Sequence, residues 1–145
     1  MITSLVVDAS FTIKLILPNP EQDRCRALMI EWEENGSNLY APTLWIYEVT
    51  SALSKAVHFE LLTEPEGREA LQLAQDLNLQ LIHPDSNQIG LAYAWTQRLK
   101  RAAAYDSFYL ALTESLSAEL WTADKRLVNA VNAPWLRYIS DDVSI

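Results

Sequence analysis

Near the start of the chain Leu5-Val6-Val7 runs into Asp8-Ala9-Ser10, and this stretch constrains the fold more than any other. A short unbroken apolar run reads as a strand buried on both faces, the kind found at the centre of a parallel sheet. The run stops at a carboxylate. An acid at the C-terminal end of such a strand lies where open α/β sheets place their ligands.

The pattern downstream fits that sheet. A strand over residues 4–7 leads into a short helix over 10–16, which ends before Pro18. Cys25, Leu28, Met29 and Trp32 share helical spacing within 21–34, and Asn35-Gly36 closes that helix. Leu39-Tyr40-Ala41 reads as a strand ended by Pro42, followed by a helix over 43–59 that carries Glu48. A helix over 64–77 sets Ala70, Leu73, Ala74 and Leu77 on one side. A strand over 79–82 stops at His83-Pro84-Asp85, and 86–99 is helical through Ile89, Ala92, Tyr93 and Thr96. Asp106 precedes a helix, starting at Ser107, that is apolar nearly all round and therefore buried. A strand over 119–122, a helix opened by Asp124 and a last strand over 136–139 complete the chain. Strands alternating with helices predict an α/β fold: a three-layer α/β/α sandwich around a mainly parallel sheet of roughly five strands. Right-handed crossovers would line up all the strand C-termini along one edge.

A chain of 145 residues suits one domain spanning 1–145. Half the residues are hydrophobic and 21% are charged, which excludes a disordered chain. The single cysteine, Cys25, forms no internal disulfide and reads as core packing. No signal peptide is visible, and no apolar stretch reaches the ~18 residues of a membrane span. A cytoplasmic protein without membrane contact is therefore expected. Gly occurs three times, and neither a P-loop nor a Gly-rich dinucleotide turn is present. A net charge of −8 opposes a broad nucleic-acid surface. Its distribution softens the objection: Arg98, Lys100 and Arg101 cluster before Asp106, and Lys125 and Arg126 follow Asp124. These are either a local basic rim that holds phosphates or solvated helix ends. His58 and His83 are not spaced as a metal pair, and the five tryptophans fall mostly on packing faces.

Four acids remain. Asp8 and Asp124 end strands, Asp106 starts a helix, and Glu48 lies one turn into another. Each aspartate also stands where an N-cap would. Glu48 has Leu44, Trp45, Ser51 and Ala52 as its helical neighbours, a face on which a carboxylate needs a partner. Brought to one sheet edge, these acids would repel: two carboxylates ~4 Å apart cost roughly 4 kcal/mol at an effective dielectric near 20. A cation relieves that cost. Oxygen ligands without His or Cys select a hard ion, Mg²⁺ or Mn²⁺, and such ions bind substrate phosphates. Phosphodiester hydrolysis is the chemistry this combination points to. Ser10 and Thr122, each two residues from an acid, could bond a carboxylate, a metal-bound water, a phosphate oxygen or the local backbone.

With these residues in place the sequence resembles the PIN-domain family. Val6-Val7-Asp8-Ala9-Ser10 resembles its opening motif, and Ala41-Pro42 with Tyr47-Glu48-Val49 and Ala52-Leu53 its second. Tyr105-Asp106-Ser107-Phe108-Tyr109-Leu110-Ala111-Leu112 resembles the third motif, and Leu120-Trp121-Thr122-Ala123-Asp124-Lys125-Arg126-Leu127 the fourth. The last two are the most specific and look most like the small prokaryotic toxins of the VapC type. The resemblance implies a metal-dependent endoribonuclease, usually dimeric and held inactive by a cognate antitoxin. Carried over, Asp8, Glu48, Asp106 and Asp124 form the acidic quartet. Asp8, Asp106 and Asp124 would bind metal directly or through water, Glu48 would position or deprotonate the attacking water, and Ser10 and Thr122 would support them. Arg98, Lys100, Arg101, Lys125 and Arg126 would contact RNA. The chain departs from the family pattern at Ser51, where Asn is frequent, and at Ser117-Ala118, where Gly is frequent. Arg126 stands where some relatives carry a fifth acid.

Two other classes compete. A catalytically degenerate, PIN-like partner-binding module is motivated by the −8 charge. A phosphotransfer domain on a similar frame fits less well: Asp8 has no adjacent acid, and Ser10 stands where a phosphatase of that kind needs a second Asp.

Overall fold

The computed structural model describes residues 3–141. The elements follow in the order β1 (Ser4–Val7), α1 (Ala9–Ile16), α2 (Gln22–Glu34), β2 (Asn38–Pro42), α3 (Leu44–His58), α4 (Glu64–Gln75), β3 (Leu79–Ile82), α5 (Ser86–Leu99), α6 (Tyr105–Ser115), β4 (Glu119–Thr122), α7 (Lys125–Val131) and β5 (Leu136–Tyr138). The sheet order is β3-β2-β1-β4-β5, and every pairing is parallel.

That order follows from burial. Leu5, Val6 and Val7 are almost wholly buried, so β1 must be flanked on both sides and covered on both faces. The chain steps outward from β1 to β2 and β3, then returns past β1 to lay down β4 and β5. Right-handed crossovers put α1–α4 on one face and α5–α7 on the other. In keeping with this, α1 packs on α2, α3 and α4, while α6 packs on α5 and lies over β1, β2 and β4. On the first face Phe11, Trp32 and Trp121 form an aromatic chain, with successive ring centroids 5.5 Å apart. Cys25 is fully buried among the core residues, as its spacing implies. Among the described residues no helix is long and apolar enough to cross a membrane.

Several expectations need correction. Pro42 belongs to β2 and pairs with Ile82; a strand accepts proline at a terminus where its missing N–H breaks no ladder. Helix α6 begins at Tyr105, so Asp106 sits inside the first turn and not before it. Leu73, Ile89 and Tyr93, which share the helical spacing of their stripes, are about half exposed or more. Helical periodicity finds an apolar stripe but not its width: of these two stripes Ala70, Ala74, Ala92 and Thr96 are buried and Leu77 is partly so.

Candidate active site

Strand order reverses between β1 and β4, and the C-terminal edge at such a reversal is where open sheets leave a crevice. Asp8 leaves β1 there, and Thr122 ends β4 opposite it. Thr122 Oγ1 donates to Asp8 Oδ2 at 2.5 Å, and Ser10 Oγ donates to Asp8 Oδ1 at 2.7 Å. Phe11 N also donates to Oδ1, at 2.9 Å, which makes Asp8 the N-cap of α1. The two hydroxyls are themselves oriented. Ser10 Oγ accepts from Ala123 N and Thr122 Oγ1 from Asp124 N, both at 3.0 Å. With those lone pairs occupied, each hydroxyl turns its proton onto Asp8. Of the roles open to Ser10 and Thr122, two are observed together: each hydroxyl donates to the Asp8 carboxylate and accepts from a backbone N–H, in the case of Thr122 the local one of Asp124.

The environment of Asp8 pulls two ways. It is only 8% exposed, and burial lifts its carboxyl from the ordinary 3.8 to about 6. The bonds from Thr122, Phe11 and Ser10 oppose that rise, and the charge of Asp106 adds to it. Burial likewise raises Asp106, opposed by the Arg101 guanidinium 3.0 Å away and reinforced by the charge of Asp124. Burial raises Glu48, with Tyr109 lowering it and Asp106 raising it. Asp106 is thus in electrostatic contact with each of the other three acids.

The structure gives each acid a different holder. Asp124 caps α7, its Oδ1 accepting from Arg126 N and Leu127 N. Asp106 caps nothing, against the capping alternative; it pairs with Arg101. Glu48 Oε1 accepts from the Tyr109 hydroxyl at 2.6 Å, joining α3 to α6. Tyr109 is 2% exposed, and burial and the neighbouring carboxylates push its own ionisation far up, so it stays a donor. The sequence reading missed Tyr109 as a site residue. A phenol inside a buried helix must find an acceptor, and that was the available signal.

The basic rim is not gathered in the same way. Of its five members only Arg101 bonds one of the acids through its side chain. Arg98 lies over the Trp95 ring, 4.2 Å from its centroid, and Lys125 over the Tyr138 ring at 4.8 Å. Lys100 and Arg126 are exposed. His58 and His83 are exposed as well, with no part in the cluster. A concavity of about 360 Å³ lined by Trp32, Asn38, Leu39 and Gln80 lies at the opposite edge of the sheet, away from all four acids.

The donor set suits a hard divalent ion: oxygen ligands alone, mutually repelling, with carboxyls raised in the absence of a cation. Among the described residues no three such side chains already stand close enough to enclose an ion. Glu48, Asp106 and Asp124 are instead drawn to Tyr109, Arg101 and the α7 amides. Mg²⁺ tolerates that openness, because it keeps several waters and uses one or two carboxylates directly.

A family model for the PIN domain matches residues 5–132, and the chain belongs to the PIN-domain family. No curated protein matches it in sequence. Solved structures match in fold. A VapBC2 complex from Rickettsia felis, bound to a DNA fragment from its promoter, aligns with a TM-score of 0.71 at 12% identity, covering 94% of this chain and 98% of the other. A toxin-antitoxin complex from Klebsiella pneumoniae aligns at 0.65 and 15%, covering 95% and 99%. Mycobacterium tuberculosis VapC20, described as a toxin that cleaves the sarcin-ricin loop, aligns at 0.65 and 14%, covering 87% and 94%.

Proposed function

We propose that this protein is a Mg²⁺- or Mn²⁺-dependent endoribonuclease of the VapC type, the toxin of a toxin–antitoxin pair. The observation that carries the reading is the electrostatic convergence of Asp8, Glu48, Asp106 and Asp124 at the β1–β4 edge, with Ser10 and Thr122 aimed at Asp8. Family membership and the toxins among its structural neighbours support it.

In this reading Asp8, Asp106 and Asp124 hold the ion, directly or through water. Held there, a divalent ion would supply charge neutralisation at the scissile phosphate and a more acidic water. Thr122 and Ser10 keep Asp8 ionised and fixed in direction. Glu48 orients the attacking water or takes its proton, and its raised pKa moves it toward the range where a general base works near neutral pH. Tyr109 holds Glu48 by Oε1, and in this reading Oε2 serves the water. Attack is in line on a backbone phosphate. Arg98, Lys100, Lys125 and Arg126 supply positive charge along the RNA flanks. The protein acts in the cytoplasm as a homodimer; exposed Ile89 and Tyr93, one turn apart on α5, offer apolar surface for pairing. An antitoxin covers the acidic edge and presents a basic side chain to it.

A panel of purified transfer, ribosomal and messenger RNAs, treated with wild type and Asp8→Asn under Mg²⁺, Mn²⁺ or EDTA, tests this. Discrete products that need metal and fall by orders of magnitude in the variant are expected. Full activity in the variant would refute the assignment. Absence of cleavage under every condition would favour the degenerate partner-binding module, which the Arg101 pairing on Asp106 and the −8 charge motivate.

A further inference from the structure

Arg101, grouped by sequence with RNA-gripping residues, lies against a carboxylate of the cluster. Its Nη1 donates to Asp106 Oδ2 at 3.0 Å. The turn that carries it is specifically shaped. Lys100 takes a left-handed φ of 55°, a conformation non-glycine residues rarely adopt. This lets Lys100 N donate to Gln97 O and Arg101 N to Thr96 O, both at 3.2 Å, the paired bonds of a Schellman helix ending. Thr96 is buried, and its Oγ1 lies 2.8 Å from Ser107 Oγ, one residue beyond Asp106. So Thr96 anchors the Arg101 backbone on one side and the Asp106 helix on the other. The backbone from which the guanidinium reaches Asp106 is thus tied to the end of α5.

The ion pair itself stays open, with its side chains 32% and 41% exposed. Pairs this open are weak and exchange readily. A divalent cation brings twice the charge to the same oxygens and the same neighbouring acids.

We propose that Arg101 is a built-in counter-ion that positions Asp106 in the metal-free protein and competes with the divalent ion for it, so that this residue sets the metal affinity of the site. The proposal rests on the nuclease reading above. Removing the guanidinium leaves Asp106 uncompensated among like charges, which strengthens the pull on a metal ion. A residue with only a structural role would, when removed, weaken metal binding or leave it unchanged.

The test is calorimetric titration of Mn²⁺ into wild type, Arg101→Gln, Arg101→Ala and Arg101→Lys without RNA. Thermal melts in EDTA confirm that each variant is folded, and RNA cleavage is run alongside. The expected result is Mn²⁺ binding at least about threefold tighter in the Gln and Ala variants, with Arg101→Lys close to wild type. Metal uptake by Arg101→Gln or Arg101→Ala where wild type shows none would also support the competition. Equal or weaker binding in the charge-removing variants overturns it. If wild type still cleaves RNA with metal in that case, the nuclease assignment stands without a role for Arg101. Silence of all four proteins toward Mn²⁺ overturns the competition; if metal-dependent cleavage is absent as well, the nuclease assignment falls with it.

Discussion

Asp8 accepts three hydrogen bonds from within the chain, from Ser10, Phe11 and Thr122, and Oδ2 takes only one of them. That arrangement stabilises an anion in a place where burial disfavours one, a combination that suits an ion ligand better than a mere cap. Glu48 is held more lightly, by Tyr109 alone. Tyr109→Phe therefore leaves a partly buried carboxylate oxygen without its donor. Stability should fall by about 1–2 kcal/mol in urea denaturation. Because the Tyr109 bond lowers the Glu48 pKa, its loss raises that pKa further, and the acid limb of the kcat/KM profile should move to higher pH. An unmoved limb would detach Glu48 from the proton transfer. The motifs make the four acids readable in the sequence; the pairing of Tyr109 with Glu48 is not, because helical spacing shows only neighbours on the same helix and this partner comes from α6. The capping alternative for Asp106 failed for a local reason: the helix starts at Tyr105, two residues before the expected Ser107, with Ala104 as its N-cap.

At the scale of elements, the strand positions were legible because β-branched and apolar runs halt at turn residues, as at Val7-Asp8 and Thr122-Ala123. Helix ends fell within one or two residues of the expected ones, the usual latitude of frayed termini. Strand order was not legible, since alternation predicts parallel strands but not which side of β1 receives β4. Nor did the sequence show how closely α3 and α4 approach. Gly67, buried in α4, explains that approach: a Cβ there would stand 2.6 Å from Val57 Cγ2 on α3. In an open helix Gly→Ala adds about 1 kcal/mol of stability. Gly67→Ala should instead cost about 1–3 kcal/mol, because the methyl must push the helices apart. A denaturation midpoint equal to or above wild type would show that the pair has room to spare.

For the whole molecule, the negative total charge and the acidic edge pose one question: what offsets the repulsion. Folded Asp8 titrates at about 6 against an ordinary 3.8. Between those values the folded protein binds more protons than the unfolded chain, so metal-free stability falls as pH rises through that window. The loss is complete above about pH 6 and amounts to at most about 3 kcal/mol. Asp8→Asn removes this charge and keeps the bonds, since an amide oxygen still accepts from Ser10 and Phe11 while its NH₂ donates to Thr122. A divalent ion acts in the opposite sense, stabilising only the ionised site. Thermal denaturation of wild type and Asp8→Asn at pH 5 and pH 7.5, in EDTA and in millimolar Mn²⁺, reads both effects at once. In EDTA the variant should gain on wild type as pH rises, and Mn²⁺ should raise the wild-type Tm more at pH 7.5 than at pH 5 while leaving the variant nearly unmoved. A Mn²⁺ shift that is absent in wild type, or equally large in Asp8→Asn, would contradict the claim that this carboxylate edge is built around a metal ion.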